Sequence, residues 1–298
     1  MLKRWGWFGL FLGAMAVHGA APISVQTSEI ECPEADDGKV VYESDRSIRV
    51  AFQKRLTELK EEGAFTDPET LREQLGRTQR VEMDLPEAAT DEKSASGIYR
   101  DHKRSVVAVG YLYLCDRCDK EHFSCATGFV VSTNGIVATN YHVLETEGRL
   151  ILGVMTADGS VYDVKETLAA DQAGDVALIR IDAEGLTALL LTTDEPVGSG
   201  VSVISHPAGR FYSMTQGIVS RYTRKTIHGE SVLEMEITAD FARGSSGGPV
   251  FNNRGHVVGM VKSTVNIYYS REAGVDSKLQ MVIKNCVPAE TILGLIQQ

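Results

Sequence analysis

The chain has 298 residues, 43% of them hydrophobic, and a formal net charge of −10. That length is enough to bury a sizeable core. The acidic balance and the lack of clustered Lys and Arg argue against a nucleic-acid partner, because binding phosphates requires concentrated positive charge.

Residues 1–20 read as an export signal. Lys3 and Arg4 make a basic start, Trp5 to Val17 form an apolar run, and Gly19, Ala20 and Ala21 provide small residues for cleavage. The run is too short for a bilayer span, so no stable membrane segment is expected after cleavage, and the mature protein is expected to be periplasmic or secreted. Residues 21–100 form a charge-rich, helix-forming extension and linker. Ile48, Val50, Phe52, Leu56 and Leu59 recur among charged residues at roughly helical spacing. "TDPETLREQL" (66–75) starts a second helix, with Asp67 as N-cap and Pro68 in the first turn. The polar, small-residue stretch 86–97 reads as linker.

Residues 101–298 are β-rich. Short runs such as "SVVAVGYLYL", "ATGFVVS", "GIVATN", "DVALIRID", "VSVISH", "LEMEIT" and "KLQMVI" alternate with Gly, Asn or Asp turns. This pattern predicts an all-β sandwich or barrel and excludes a βαβ fold. "PAETILGLIQQ" predicts a short closing helix.

The chain has five cysteines, at Cys32, Cys115, Cys118, Cys125 and Cys286. The odd count leaves at least one thiol without an internal partner unless a metal takes several. "CDRCDKEHFSC" (115–125) lies between two predicted strands. A disulfide from Cys125 to Cys115 or Cys118 is the first expectation for an oxidising compartment. The alternative is a structural zinc held by Cys115, Cys118, His122 and Cys125.

Three further segments carry chemistry. "VATNYHVLE" places His142 just after a β-run, and "AGDVALIRI" places Asp175 at the mouth of another. "ARGSSGGPVF" (242–251) clusters small residues around Ser245 and Ser246. Gly244-x-Ser246-x-Gly248 also fits the nucleophile elbow of α/β-hydrolases, which requires a following helix and then an acid and a distant histidine. Here a proline and a strand follow, and His256 is too close to fold back over the serine. The elbow fails.

The order His142, Asp175, Ser246, with "TNYHV", "GDVALI", "GIVS" and "RGSSGGPVFN", resembles the trypsin-like serine peptidases over about 105–285. Within them it resembles the bacterial HtrA/DegP-like branch. The resemblance implies a double six-stranded β-barrel with a catalytic cleft between the barrels, here carrying an α-helical N-terminal extension. Too few residues follow Ser246 to complete the barrel and add a PDZ domain, so none is expected. The implied chemistry is acyl transfer. His142 is the base that activates Ser246, and Asp175 holds the imidazole in the required tautomer. The N–H groups of Gly244 and Ser246 are assigned to the oxyanion hole. Ser245 stands where digestive enzymes carry an aspartate that captures a new N-terminus, so that mode of activation is not expected.

Asp240 has the spacing of the pocket acid of basic-specific relatives, with a solvent-facing cap as the alternative. Met260, Val261, Lys262, Ser263 and Thr264 are expected to form the strand that pairs with substrate backbone. His206 reads as structural, and His228 and His256, in turns, read as solvated. The sequence thus points to an exported serine endopeptidase acting on exposed or unfolded polypeptides, with no cofactor in the reaction. The alternative is a catalytically weak peptide-binding scaffold on the same fold. The oligomeric state is not readable.

Overall fold

The computed structural model describes residues 39–297, apart from 43, 89, 116, 194, 273 and 274. Residues 1–20, read from the sequence as an export signal, and Cys32 lie outside the described residues. No helix among the described residues is long and apolar enough to cross a membrane.

The extension is helical. Helix α1 spans Asp45–Glu62, with the Ser44 hydroxyl accepting the Arg46 N–H and Gly63 closing its C-terminus. Its buried stripe is Ile48, Phe52, Leu56 and Leu59. Val50 lies off that stripe and is exposed. Helix α2, Pro68–Glu73, begins at the expected Asp67 cap with Pro68 in its first turn. After β1 (Val81–Glu82), helix α3 (Ala95–His102) starts from an Ser94 cap, inside the stretch read as linker. Ser94 accepts the Gly97 N–H, and that capping bond is what turns a polar, small-residue segment into a helix start.

The first sheet contains β2 (Val106–Cys115), β3 (Cys118–Ser132), β4 (Ile136–Thr139), β5 (Arg149–Met155), β6 (Val161–Asp163), β7 (Glu166–Asp171) and β8 (Val176–Arg180). Its order is β6-β5-β2-β3-β4-β8-β7, and the one-turn helix α4 (His142–Glu145) follows β4. The second sheet contains β9 (Gly200–Ser205), β10 (Ser213–Ile227), β11 (Glu230–Ile237), β12 (Pro249–Asn252), β13 (Val257–Glu272) and β14 (Val275–Pro288). It closes as a six-stranded barrel, β10-β11-β14-β13-β12-β9. Helix α5 (Ala289–Leu293) and β15 (Ile296–Gln297) finish the chain, β15 pairing in parallel with β1 of the extension.

The fold is therefore all-β with two curled sheets in the trypsin-like double-barrel arrangement. Only the second sheet is a closed six-stranded ring; the first has seven strands, because the three-residue β6 adds to its edge beside β5. A core cluster joins the halves, with Phe129, Ile136 and Leu178 from the first sheet meeting Ile204, Phe251 and Met260 from the second. Beyond the barrel, β13 and β14 continue as a hairpin arm that exposes Val265, Ile267, Tyr269, Leu279 and Met281.

Helix α1 is built into this body. Phe52 and Leu56 are fully buried among Ala108, Leu112, Phe123, Ile151 and Met155. The sheet makes room with two notches: a Cβ on Gly110 would lie 2.5 Å from the Phe52 ring, and one on Gly153 would lie 2.5 Å from Leu56. Burial of two such side chains contributes roughly 3–6 kcal/mol to the docking of the extension.

Candidate active site

His142 opens α4 directly after β4, and Asp175 stands at the start of β8, the strand paired with β4. Strand pairing therefore brings the two segments side by side. Asp175 adopts a left-handed backbone (φ 60), a conformation Asp tolerates better than most residues. Its carbonyl accepts the buried Asn140 amide at 3.0 Å. Asp175 Oδ1 accepts the His142 backbone N–H at 3.0 Å, and both carboxylate oxygens lie 3.0–3.1 Å from His142 Nδ1. A carboxylate accepts, so Nδ1 is the donor of this pair, and in the neutral imidazole Nε2 is the nitrogen that presents a lone pair. The Asp175 side chain is 11% exposed and that of His142 is 41% exposed, which leaves the basic nitrogen reachable.

Ser245 and Ser246 are told apart by their surroundings. Ser245 is completely buried, its hydroxyl 3.0 Å from that of Ser205 and within 3.4 Å of the Ala242 N–H. It is a packing residue. Ser246 is only partly buried, and its hydroxyl donates to the Lys262 carbonyl at 3.4 Å. Among the described residues no hydrogen bond joins Ser246 to His142. The two segments are nevertheless stitched together. The Thr127 N–H donates to the Ser246 carbonyl at 2.8 Å, and the Thr139 hydroxyl, three residues before His142, donates to the Thr127 carbonyl at 2.8 Å. Gly247 lies in this seam with φ 86; a Cβ there would sit 2.0 Å from the Thr127 oxygen and 2.5 Å from Thr139 Oγ1. Only glycine fits.

The backbone around Ser246 shows which groups are free. The Ser245 N–H donates to Ala242, the Gly247 N–H to Val261, and the Gly248 N–H to Ser245. Gly244 and Ser246 are different: among the described residues, neither N–H has an acceptor. Their directions follow from the other end of each peptide plane. The Arg243 carbonyl accepts the Ala208 N–H at 2.6 Å, and the Ser245 carbonyl accepts the Gly248 N–H at 2.8 Å. In a trans peptide the N–H points opposite its carbonyl, so the Gly244 donor points away from Ala208 and the Ser246 donor away from Gly248.

Supporting residues not singled out from sequence hold this loop. Fully buried Thr127 donates from Oγ1 to the Gly244 carbonyl at 2.8 Å and accepts the His206 N–H at 3.2 Å. His206 Nδ1 accepts the Tyr212 N–H at 3.0 Å, and complete burial lowers its pKa from the usual 6.5 to about 4. It is a neutral structural histidine. In sequence, Thr127 and Ser205 differ in nothing from other strand residues.

Three expectations are corrected. Asp240 is not a buried pocket acid: its side chain is 86% exposed and sits 3.3 Å from Lys284 Nζ. The mostly buried Lys284 ammonium donates to the Phe241 carbonyl at 2.8 Å and lies 5.1 Å from the Phe241 ring. Lys284, whose backbone pairs with Ile237 of β11 and Thr264 of β13, therefore sets a cation against residues 240 and 241. Met260 and Val261 are core residues, 0% and 1% exposed, with backbones already paired to β12 and β14. Lys262 pairs its amine with Glu234, whereas Ser263 and Thr264 are exposed, so the outer part of this strand is the accessible part.

The third correction concerns the cysteines. β3 runs on from Cys118, and Cys125 lies further along it, paired with Gly110 and outside the cluster that Cys115, Cys118 and His122 form at the hairpin tip. It reaches neither Cys115 nor Cys118, and burial raises its thiol pKa to about 11. Cys115, Cys118, Cys125 and Cys286 are all free thiols.

The defining pattern of the trypsin-like peptidase domain matches residues 126–260. The chain is 34% identical over 181 residues to a protein of Ectopseudomonas mendocina described as a probable periplasmic serine endoprotease, DegP-like; the match covers 60% of this chain and 36% of that protein. Proteins of the same description from Halomonas elongata and Chlamydia trachomatis are each 34% identical, over 143 and 146 residues; both matches cover 47% of this chain, and 30% and 28% of those proteins. The chain thus spans about a third of the length of the curated relatives it matches.

Proposed function

We propose that this chain, which carries a trypsin-like peptidase domain related to the DegP-like endoproteases, is itself a serine endopeptidase. Ser246 is the nucleophile, His142 its base, and Asp175 the group that holds the imidazole. In the proposed reaction Ser246 Oγ leaves the Lys262 carbonyl and pairs with His142 Nε2 when substrate binds; such bonds are often loose before then. Oγ then attacks the scissile carbonyl carbon while Nε2 takes the hydroxyl proton. The carbonyl electron pair moves onto the oxygen, which the N–H groups of Gly244 and Ser246 stabilise. Collapse expels the amine, protonated from Nε2, and leaves an acyl-serine that water hydrolyses by the same steps.

The observation that carries this reading is the pair of acceptor-free N–H groups, on Gly244 and on the half-buried Ser246 itself, in a chain that also holds a His142–Asp175 pair. Each oxyanion donor of this type contributes about 3 kcal/mol to lowering the barrier. Every proton and electron pair is handled by these residues, so the reaction as proposed draws on no cofactor. The substrates are exposed or unfolded polypeptides, which can lie along the accessible backbone at Lys262–Thr264. A periplasmic or secreted location is supported by the basic-then-apolar start of the chain and by the periplasmic description of its relatives.

The test is digestion of casein and a peptide library by wild type and Ser246→Ala, with new termini read by mass spectrometry. Cleavage by wild type alone supports the reading. Equal, absent cleavage by both, with peptide binding retained, would instead identify a non-catalytic scaffold.

A further inference from the structure

The tip of the β2–β3 hairpin gathers three metal-ligating side chains outside the proposed active site. Cys115 and Cys118 face each other across the turn as register partners. The register slips there: Leu114 pairs with Glu121 but Cys115 pairs with Cys118, leaving two extra residues on β3. This bulge curls Cys118 back toward His122, and Cys118 Sγ lies 3.0 Å from His122 Nε2. The two sulfurs and one histidine nitrogen all lie within 4.8 Å of one another. Ligands on a tetrahedral zinc, at about 2.3 Å for sulfur and 2.0–2.1 Å for nitrogen, are separated by roughly 3.5–3.8 Å. Closing the cluster onto an ion therefore requires side-chain adjustment of about 1 Å.

We propose that Cys115, Cys118 and His122 form a divalent zinc site with a fourth position open to solvent. Both thiols release their protons to solvent as the ion binds, and no oxidant or reductant takes part. The site suits a soft, N/S-preferring cation and not magnesium or calcium, which require oxygen ligands. The Arg117 N–H, 3.4 Å from Cys115 Sγ, is placed to stabilise a bound thiolate, and the Tyr113 ring lies 5.7 Å from that of His122. All three ligands are partly exposed, so an ion can enter without unfolding the sheet.

The site has a structural consequence. Next to it, Glu121 pairs with Lys60 of α1, the Phe123 carbonyl accepts Arg49 at 3.0 Å, and the Phe123 ring meets Phe52 at 5.2 Å. A bound ion would cross-link the hairpin tip directly beside these contacts with α1. Further along the same strand is Thr127, which holds the Gly244 loop.

The test uses the full chain purified without added reductant. Zinc is quantified by mass spectrometry, and Co²⁺ is titrated into the chelated protein and followed by its visible d–d and thiolate charge-transfer bands. The proposal predicts stoichiometric zinc, cobalt spectra of a thiolate site, and a rise in Tm on zinc addition. Cys118→Ser and His122→Ala should each weaken binding tenfold or more, while Cys125→Ser should bind as wild type does. Finding Cys115 and Cys118 joined as a disulfide with no metal would overturn it, as would binding that survives both ligand substitutions or depends on Cys125. Because metal content and spectra are the readouts, the outcome is independent of whether the chain cleaves peptides.

Discussion

The most informative perturbation is Thr127→Val, a nearly isosteric change at a residue that touches no substrate. It removes one hydroxyl and two hydrogen bonds: the 2.8 Å donation to the Gly244 carbonyl and the 3.2 Å acceptance from the His206 N–H. Each stranded buried group costs about 1–3 kcal/mol. The longer bond and the half-buried Gly244 belong at the lower end, so a loss of about 2–4 kcal/mol is expected in urea denaturation. The same change frees the Gly244–Ser245 peptide, which lies between the two acceptor-free N–H groups. Misalignment of one oxyanion donor costs up to about 3 kcal/mol of transition-state stabilisation, so acylation by a chromogenic ester should slow by roughly 10- to 100-fold. Thr127→Ser keeps the hydroxyl, should lose only about 1 kcal/mol of stability with the methyl group, and should acylate near the wild-type rate. The reasoning is refuted if folded Thr127→Val acylates as fast as wild type, or if Thr127→Ser slows as much as Thr127→Val.

Phe52→Ala opens a cavity between α1 and the first sheet and should cost about 3–5 kcal/mol in denaturant titration; a loss below 1 kcal/mol would show that α1 is dispensable. His206 is neutral in the fold, with a pKa of about 4 against 6.5 for the free side chain, so the unfolded chain binds the extra proton between those values. Its contribution of about 3 kcal/mol is complete above pH 6.5 and disappears as the pH falls to 4. His206→Gln should flatten the stability profile in that window, and identical slopes for both proteins would rule the assignment out. With the Lys284 ammonium held against Asp240 and the Phe241 carbonyl, peptides with Lys or Arg on the acyl side of the scissile bond should be cleaved more slowly than neutral or acidic counterparts. Lys284→Ala should reduce that bias; a preference for Lys or Arg in wild type would contradict it.

The parts of this architecture that are legible in sequence are those whose causes are local. Helix α2 follows from Asp67-Pro68, and the stripe of α1 from the spacing of Ile48, Phe52, Leu56 and Leu59. His142 and Asp175 each carry a local motif at a strand end, and the pairing of β4 with β8 brings them together. What was misread depended on direction or continuity. The spacing of Asp240 from Ser246 does not say which way its carboxylate turns, and the cation at Lys284 comes from a strand distant in sequence. The 115–125 segment reads as a loop because it is polar, yet β3 starts at Cys118 and carries Cys125 away from the tip. Thr127 and Ser205 were missed because a buried hydroxyl in a strand has no signature until its partners, Gly244 and Ser245, are folded against it.

The central claim is that Ser246, and not its neighbour, is the nucleophile activated by His142. Reaction with a fluorophosphonate followed by peptide mapping tests it most directly. The account predicts a single adduct on Ser246, retained in Ser245→Ala and lost in both Ser246→Ala and His142→Ala. An adduct on Ser245, or no adduct in wild type while casein is still cleaved, would contradict it.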